Sequence, residues 1–247
     1  LRLSTNGRFA TEVATERILI VGLGGLGVPA LWSLARAGAQ RLTLVDPDPV
    51  DLSNLARQVI YRSRDLGTPK VEAAARWLAE RFPDINLEWH AIALDASNAL
   101  HLVAAHDFVI DATDSPIAKF LINDTCIAAQ VPFVYGGVVG MTGQAMTVIP
   151  GATACIRCIF ETPPDEDEIQ SCREAGIVGP VAGAIGEMQA AEAMRALRAQ
   201  TLLLAGRILT YDASGPSRVR ITAVSPRPGC GCGASKSAHH ESQSPGK

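Results

Sequence analysis

Ile18-Leu-Ile-Val-Gly-Leu-Gly-Gly-Leu-Gly27 sets an apolar run directly in front of a glycine turn, and an apolar helical pattern follows from Leu26 to Ala37. Gly22, Gly24 and Gly27 satisfy G-x-G-x-x-G, Gly25 adds a fourth glycine, and Asp46 ends the next apolar run nineteen residues after Gly27. A strand feeding such a turn lets the backbone approach phosphates closely and aims a helix N-terminus at their negative charge. A carboxylate at the distance of Asp46 can accept both hydroxyls of a ribose. The pattern therefore says nucleotide. On its own it is met most often in NAD or FAD oxidoreductases, and a glycine-rich turn without a ligand is the bland alternative.

Outward from this loop, strand-like and helix-like runs alternate, which predicts an α/β fold of Rossmann type. Its sheet is expected to be mostly parallel, with helices on both faces. Strands are expected at Arg17–Val21, Arg41–Val45, Leu87–Ile92 and Phe108–Asp111, and helices at Leu26–Ala37, Lys70–Arg81, Ala99–Ala105 and Pro116–Ala129. Pro69 suits the first residue of the second helix and Ser115 the cap of the fourth. After Pro132 the character changes: Phe133–Val139 and Gln144–Ile149 read as antiparallel strands, Thr162–Glu174 as a long acidic loop, and Gly183–Leu197 as a helix. Ile208–Asp212 and Arg218–Val224 read as a closing hairpin, so the C-terminal half extends the sheet with antiparallel strands. Residues 1–233 read as one domain and residues 234–247, rich in Ser, Lys, His and Gln, as a disordered tail.

Composition limits the function. The 247 residues are 47% hydrophobic and 19% charged, as in an ordinary globular protein of one large domain. A formal net charge of -3 supplies no long-range field for nucleic acid or an anionic membrane, and neither partner is expected. The uncharged stretches Ile18–Ala35 and Val131–Ile156 are broken by Gly and Pro, so they read as buried strands with their loops rather than membrane spans. No secretory signal opens the sequence, and the expected location is cytoplasmic. Five histidines, two of them at 239 and 240, make a histidine-centred mechanism a poor fit. Of the six cysteines, 155, 158, 230 and 232 form two close pairs, which in a cytosolic chain indicates metal before disulfide, with free thiols as the alternative. Cys126, inside an apolar helix, is simplest as core.

The charges beyond Asp46 sharpen the picture. Asp51-Leu-Ser-Asn-Leu-Ala-Arg-Gln58 places Ser53, Asn54 and Arg57 together, and Lys70 follows twelve residues after Gln58. A dinucleotide oxidoreductase needs no such set, whereas a triphosphate does: Arg offers forked donors and Lys a point charge. Asp111-Ala-Thr-Asp114 ends a buried strand, where ligands sit in parallel sheets. A carboxylate at Asp114 suits magnesium, with a helix cap as the alternative role.

Taken in order, these motifs resemble the MoeB/ThiF/HesA family, bacterial relatives of ubiquitin-activating enzymes. The match also uses Gly67-Thr-Pro-Lys70, Cys155-Ile-Arg-Cys158, Ser171-Cys-Arg-Glu-Ala-Gly-Ile-Val-Gly-Pro180 and Pro228-Gly-Cys230, and spans nearly the whole of residues 1–233. The resemblance implies an adenylyltransferase that uses ATP and magnesium to activate the C-terminal glycine carboxylate of a ubiquitin-like sulfur carrier ending in Gly-Gly. Molybdopterin and thiamine biosynthesis are the implied settings, and a homodimer the implied assembly. Carried over, Gly22, Gly24, Gly25 and Gly27 hold the nucleotide and Asp46 its ribose. Ser53, Asn54, Arg57 and Lys70 line the phosphates, Asp114 binds Mg2+, and Ser115 stands where the family commonly has Asn. Cys155, Cys158, Cys230 and Cys232 correspond to a four-thiolate structural Zn2+ site, although a single Gly231 separates the last pair where the family usually has two residues. Cys172 matches a cysteine that takes part in thiol chemistry with the carrier in some members, and Arg173 beside it could lower its pKa; a bystander on a flexible loop is the alternative. In the family, an Arg-Tyr-x-Arg-Gln-like segment stands just ahead of the Leu-Arg-Leu seen here at residues 1–3, and Arg2 and Arg8 do not fall in that motif. An NAD-dependent oxidoreductase and a catalytically silent carrier-binding module are the competing readings.

Overall fold

The computed structural model describes residues 2–3, 9–10, 16–164, 176–216 and 218–233. Apart from a small ribbon that pairs Arg2–Leu3 with Phe9–Ala10, every strand among the described residues joins one eight-stranded sheet. Its strands are β1 (Arg17–Val21), β2 (Arg41–Val45), β3 (Asn86–His90), β4 (Phe108–Asp111), β5 (Phe133–Val139), β6 (Thr142–Val148), β7 (Arg207–Asp212) and β8 (Val219–Ala223). The helices are α1 (Gly27–Ala37), α2 (Lys70–Arg81), α3 (Ala99–Ala104), α4 (Pro116–Ala129), α5 (Ile156–Ile159) and α6 (Gly179–Leu197). Across the sheet the order is β8-β7-β6-β5-β4-β1-β2-β3. Strands β3 to β5 through β2, β1 and β4 pair in parallel, and β5 to β8 antiparallel, as the sequence pattern predicts.

The parallel centre follows from residues that are apolar on both sides of the strand. Ile18, Leu19 and Ile20 are fully buried, and the alternation of side chains sends them to opposite faces. Ile18 and Ile20 pack with Leu31 and Leu34 of α1, Val71 and Leu78 of α2 and Ile185 of α6. Leu19 and Val21 pack on the other face with Val103 of α3, Phe120 and Cys126 of α4 and Ile156 of α5. Cys126 is thus core, as expected. The chain reverses its winding between β1 and β4, which opens a crevice at their carboxyl ends.

Most element ends shift by one or two residues from the sequence expectation, and three further differences have a physical reason. Helix α6 opens at Gly179 instead of Gly183, since Pro180 falls in the first turn, where a missing N–H breaks no helical bond. Pro69 precedes α2 in an extended conformation (ψ 133°) and does not form its first residue. The single turn α5 has no periodicity of its own; buried Asn123 of α4 fixes it, its Oδ1 accepting from Ile156 N at 2.9 Å. The proposed tail at 234–247 lies outside the described residues. Among the described residues, no helix is long and apolar enough to cross a membrane.

One buried titratable group gives a direct stability test. His106 lies between α3 and β2, with Nδ1 2.6 Å from Leu102 O and Nε2 2.7 Å from Thr43 Oγ1. A carbonyl can only accept, so Nδ1 carries the proton and the neutral ring accepts from Thr43. Burial, aided by Arg17, lowers the imidazole pKa below its usual 6.5, against the Leu102 carbonyl, Glu88 and Asp107. The unfolded chain therefore binds the extra proton first as pH falls. Stability is complete above about pH 6.5 and declines as pH drops through that value toward the folded pKa. Urea midpoints measured from pH 8 to pH 5 should fall for the parent, with a shallower fall for His106→Gln.

Candidate active site

The glycine loop is a close-packed turn. Gly22 has φ +94°, and a Cβ on it would lie 2.6 Å from Ala112 O; a Cβ on Gly27 would lie 1.9 Å from Gly22 O. Neither position admits a side chain. At Gly24 a Cβ would meet only Gln58 Nε2 at 3.8 Å, so this part of the loop is open from above. No side chain caps the N-terminus of α1. Val28 N and Ala30 N donate to Gly24 O and Leu26 O and Pro29 has no N–H, so the donors left for an anionic ligand are the backbone amides of the glycine loop that opens the helix.

Asp46 stands at the end of β2, beside the loop. Its Oδ2 accepts from Leu23 N at 2.6 Å and its Oδ1 from Asp48 N at 2.9 Å. Lys70 at the start of α2 places Nζ 3.6 Å from Asp46 Oδ1 and 2.7 Å from Asp48 Oδ2, and both Lys70 and Asp46 are buried. Burial raises the Asp46 pKa, opposed by Lys70 and by the amides of Leu23 and Asp48. Beneath the loop, Tyr61 donates to Leu23 O at 3.2 Å; burial and the charges of Asp46 and Asp65 keep its phenol protonated.

A 3-10 turn at Leu52–Asn54 carries the next residues over the loop. Asp51 caps it by accepting from Ser53 N at 2.8 Å, Asn54 Nδ2 donates to Ser53 Oγ at 2.8 Å, and Gln58 Nε2 donates to Asn54 Oδ1 at 2.7 Å. The Arg57 stem lies across Gly25, Cδ being 3.6 Å from where a Cβ would stand there, and Nη1 donates to Ser53 O at 3.0 Å. Its guanidinium makes no ion pair among the described residues, so its remaining donors are available.

The third wall is the turn after β4. Val21 pairs with Asp111 across β1 and β4, and Ala112 N donates to Val21 O at 2.9 Å, which seats this turn against Gly22. Asp114 is exposed and its side chain has no hydrogen bond or ion pair among the described residues. The cap of α4 is Ser115, whose Oγ accepts from Ala118 N at 3.3 Å. This removes the cap role from Asp114 and uses the Ser115 oxygen as an acceptor while its O–H can still donate. The structure thus brings together Gly22, Gly24, Gly25, Gly27, Asp46, Ser53, Asn54, Arg57, Lys70, Asp114 and Ser115 around one crevice. Cys172 and Arg173 lie outside the described residues.

On the opposite face of the sheet the four paired cysteines converge. Their sulfurs all lie within 4.8 Å of one another: Cys155 to Cys158 is 4.0 Å, Cys155 to Cys230 3.7 Å and Cys158 to Cys232 3.7 Å. Zinc–sulfur bonds of about 2.3 Å in a tetrahedron put sulfurs about 3.8 Å apart, so the donor set fits zinc, C-x-C spacing included. Burial and the other three thiols raise the Cys155 pKa, so four thiolates need a cation to coexist. Burial also opposes ionisation of Cys158, but amides of Arg227 and Cys155 hydrogen-bonded to its sulfur bring its pKa down.

Asp48, Lys119 and Gln189 lie outside the motifs, and Gln58 ends one of them with no role assigned to it. Lys119 Nζ lies 3.2 Å from Asp111 Oδ2, and Gln189 Nε2 donates to Asp111 O at 2.6 Å. Gln189 is 78 residues from Asp111, with no local signal; Lys119 could have been suspected only as a charge on an otherwise apolar helical face.

Comparison with known proteins adds four findings. The profile of the ThiF family matches residues 6–232. The SAMP-activating enzyme E1 of Haloferax volcanii is 40% identical over 202 residues, covering 82% of this chain and 74% of that protein. The adenylyltransferase and sulfurtransferase MOCS3 of Drosophila yakuba is 38% identical over 219 residues, covering 89% of this chain and 48% of that protein. The chain therefore spans about half the length of its MOCS3 relatives. Among solved structures, E. coli MccB with ATP superposes with a TM-score of 0.79 at 22% identity, covering 90% of this chain and 68% of MccB, which establishes likeness of fold.

Proposed function

The chain belongs to the ThiF family, and from that premise we propose that it adenylates the C-terminal glycine carboxylate of a small ubiquitin-like sulfur carrier. The carboxylate oxygen attacks the α-phosphorus of ATP, the bond to pyrophosphate breaks, and an acyl-adenylate remains. The observation that carries this reading is the convergence of glycine loop, Asp46, Arg57, Lys70 and Asp114 at the carboxyl ends of three adjacent parallel strands. Names of the relatives support it: one activates a SAMP protein and another is an adenylyltransferase and sulfurtransferase.

In this reading the amides of the glycine loop, Gly24 to Gly27, receive the phosphates and Asp46 the ribose. Arg57 and Lys70 offset the charge that develops on the phosphorus oxygens. Lys70 is already held by Asp48, whose exposed carboxylate a triphosphate would displace. Ser53 and Asn54 set the position of Arg57, and Ser115 fixes the start of α4. Asp114 would hold Mg2+, which would supply positive charge against the phosphates. Cys155, Cys158, Cys230 and Cys232 would hold Zn2+ in a structural role. We assign Cys172 to thiol chemistry after adenylation, a homodimer as the working unit, and the cytoplasm as its location. Molybdopterin or thiamine biosynthesis is the proposed setting.

Pyrophosphate exchange tests the reading. Labelled pyrophosphate should enter ATP only when a carrier ending in Gly-Gly is present, and removal of its last glycine should stop the exchange. Carrier binding without exchange would leave a silent binding module, and calorimetric preference for NAD over ATP would make the protein an oxidoreductase. Sequencing the C-termini of captured carriers identifies the pathway.

A further inference from the structure

Lys119 takes no part in the phosphate cradle, yet its side chain is 11% exposed and its charge is fully engaged. The ammonium lies 3.3 and 3.2 Å from the two carboxylate oxygens of Asp111, donates to Gly136 O, and sits 4.9 Å from the centre of the Tyr135 ring. Asp111, itself fully buried, is held at its other atoms as well. Its Oδ1 accepts from Thr113 N at 3.1 Å and Thr113 Oγ1 at 2.7 Å, and its carbonyl accepts from Gln189 Nε2 at 2.6 Å. Gln189 occupies the space that any side chain at residue 136 would need, a Cβ there lying 2.5 Å from its carboxamide. Asp111 is thereby fastened to α4, β5 and α6.

The consequence falls on Asp114. Its own side chain is unanchored, so its direction is set by the Asp111–Thr113 turn before it and the Ser115 cap after it. Buried ion pairs add little stability relative to apolar packing, but they impose one geometry. An ammonium suits this spot because a carboxylate, a carbonyl and a ring approach it from different directions, which a planar guanidinium meets less well. We infer that Lys119 is a positioning residue: by clamping Asp111 to β5 it aims Asp114 into the crevice at the glycine loop. The inference rests on the function proposed above, and its test can be read without that function.

In the full chain, Lys119→Met should accelerate hydrogen exchange of the Thr113 amide about tenfold, with β1 amides unchanged. Carrier-dependent pyrophosphate exchange should lose about 100-fold in kcat, with KM for ATP little altered, and Lys119→Arg should recover part of it. In an Asp114→Asn background the same Lys119→Met substitution should cost less than about twofold, since the two act in series. Lys119→Met leaves Asp111 charged and unpaired, so Lys119→Met with Asp111→Asn serves as the variant that folds without buried charge and should show the same faster Thr113 exchange. Unchanged Thr113 exchange in the variants, or losses that multiply fully with Asp114→Asn, overturns the inference. Absence of pyrophosphate exchange in the parent overturns the functional reading instead, and the amide measurement still decides the role of Lys119.

Discussion

Asp114→Ala should lower carrier-dependent pyrophosphate exchange by about 10³-fold while shifting unfolding free energy by no more than about 0.5 kcal/mol. The second half follows from its surroundings. Asp114 is exposed, Ser115 supplies the helix cap, and no described residue hydrogen-bonds the Asp114 side chain. Among the described residues, nothing depends on the carboxylate. The first half follows from position: the turn from Ala112 to Ser115 abuts Gly22, so Asp114 is the one acid of the crevice not already committed to a neighbouring amide or ammonium among the described residues. A magnesium ion bound by it would supply charge that Arg57 and Lys70 cannot replace by moving. Urea unfolding and exchange kinetics on the same preparation separate the two effects. Exchange that survives Asp114→Ala in a folded protein assigns the metal to another group.

The second large effect concerns the four cysteines. The purified protein should contain about one zinc per chain, and Cys155→Ser should lose it and destabilise the fold by on the order of 5 kcal/mol. That is part of the roughly 10–16 kcal/mol with which four thiolates hold zinc in small domains. Cys155 and Cys232 are buried in the core that faces α4, and Gly151 N donates to Cys232 O at 3.1 Å, so the cluster ties the chain after β8 to the segment after β6. Metal analysis by plasma emission, with unfolding before and after chelation, measures both numbers. A metal-free protein of unaltered midpoint would leave four free thiols and no site.

Much of this architecture could be read from the chain because its signals are local. The run Ile18–Val21 is apolar at every position, which only a strand covered on both faces tolerates, and α4 has its Ser cap and Pro start written at 115 and 116. The glycine loop is legible because the turn forbids any other residue at Gly22 and Gly27. What escaped is tertiary. Helix α5 exists through Asn123, thirty-three residues away, and the clamp on Asp111 draws on Lys119 and Gln189, neither of which belongs to a motif. The spacing of Cys230 and Cys232 left free thiols open as an alternative; only the folded distances show that one intervening glycine lets all four sulfurs converge.

Helix α4 touches both centres. Its first turns hold Ser115 and Lys119 beneath the crevice. Farther along, Asn123 binds the amide of Ile156, Asp124 forms paired 2.7 Å bonds with the Arg157 guanidinium, and Phe120 lies under that same guanidinium. At about 1.5 Å per residue its fourteen residues span roughly 21 Å without a proline or glycine in the interior where it could break. A helix continuous from the crevice wall to the cysteine knuckle is expected to open as one unit. Native-state hydrogen exchange should then find no half-open state that keeps the nucleotide pocket after the knuckle has come apart.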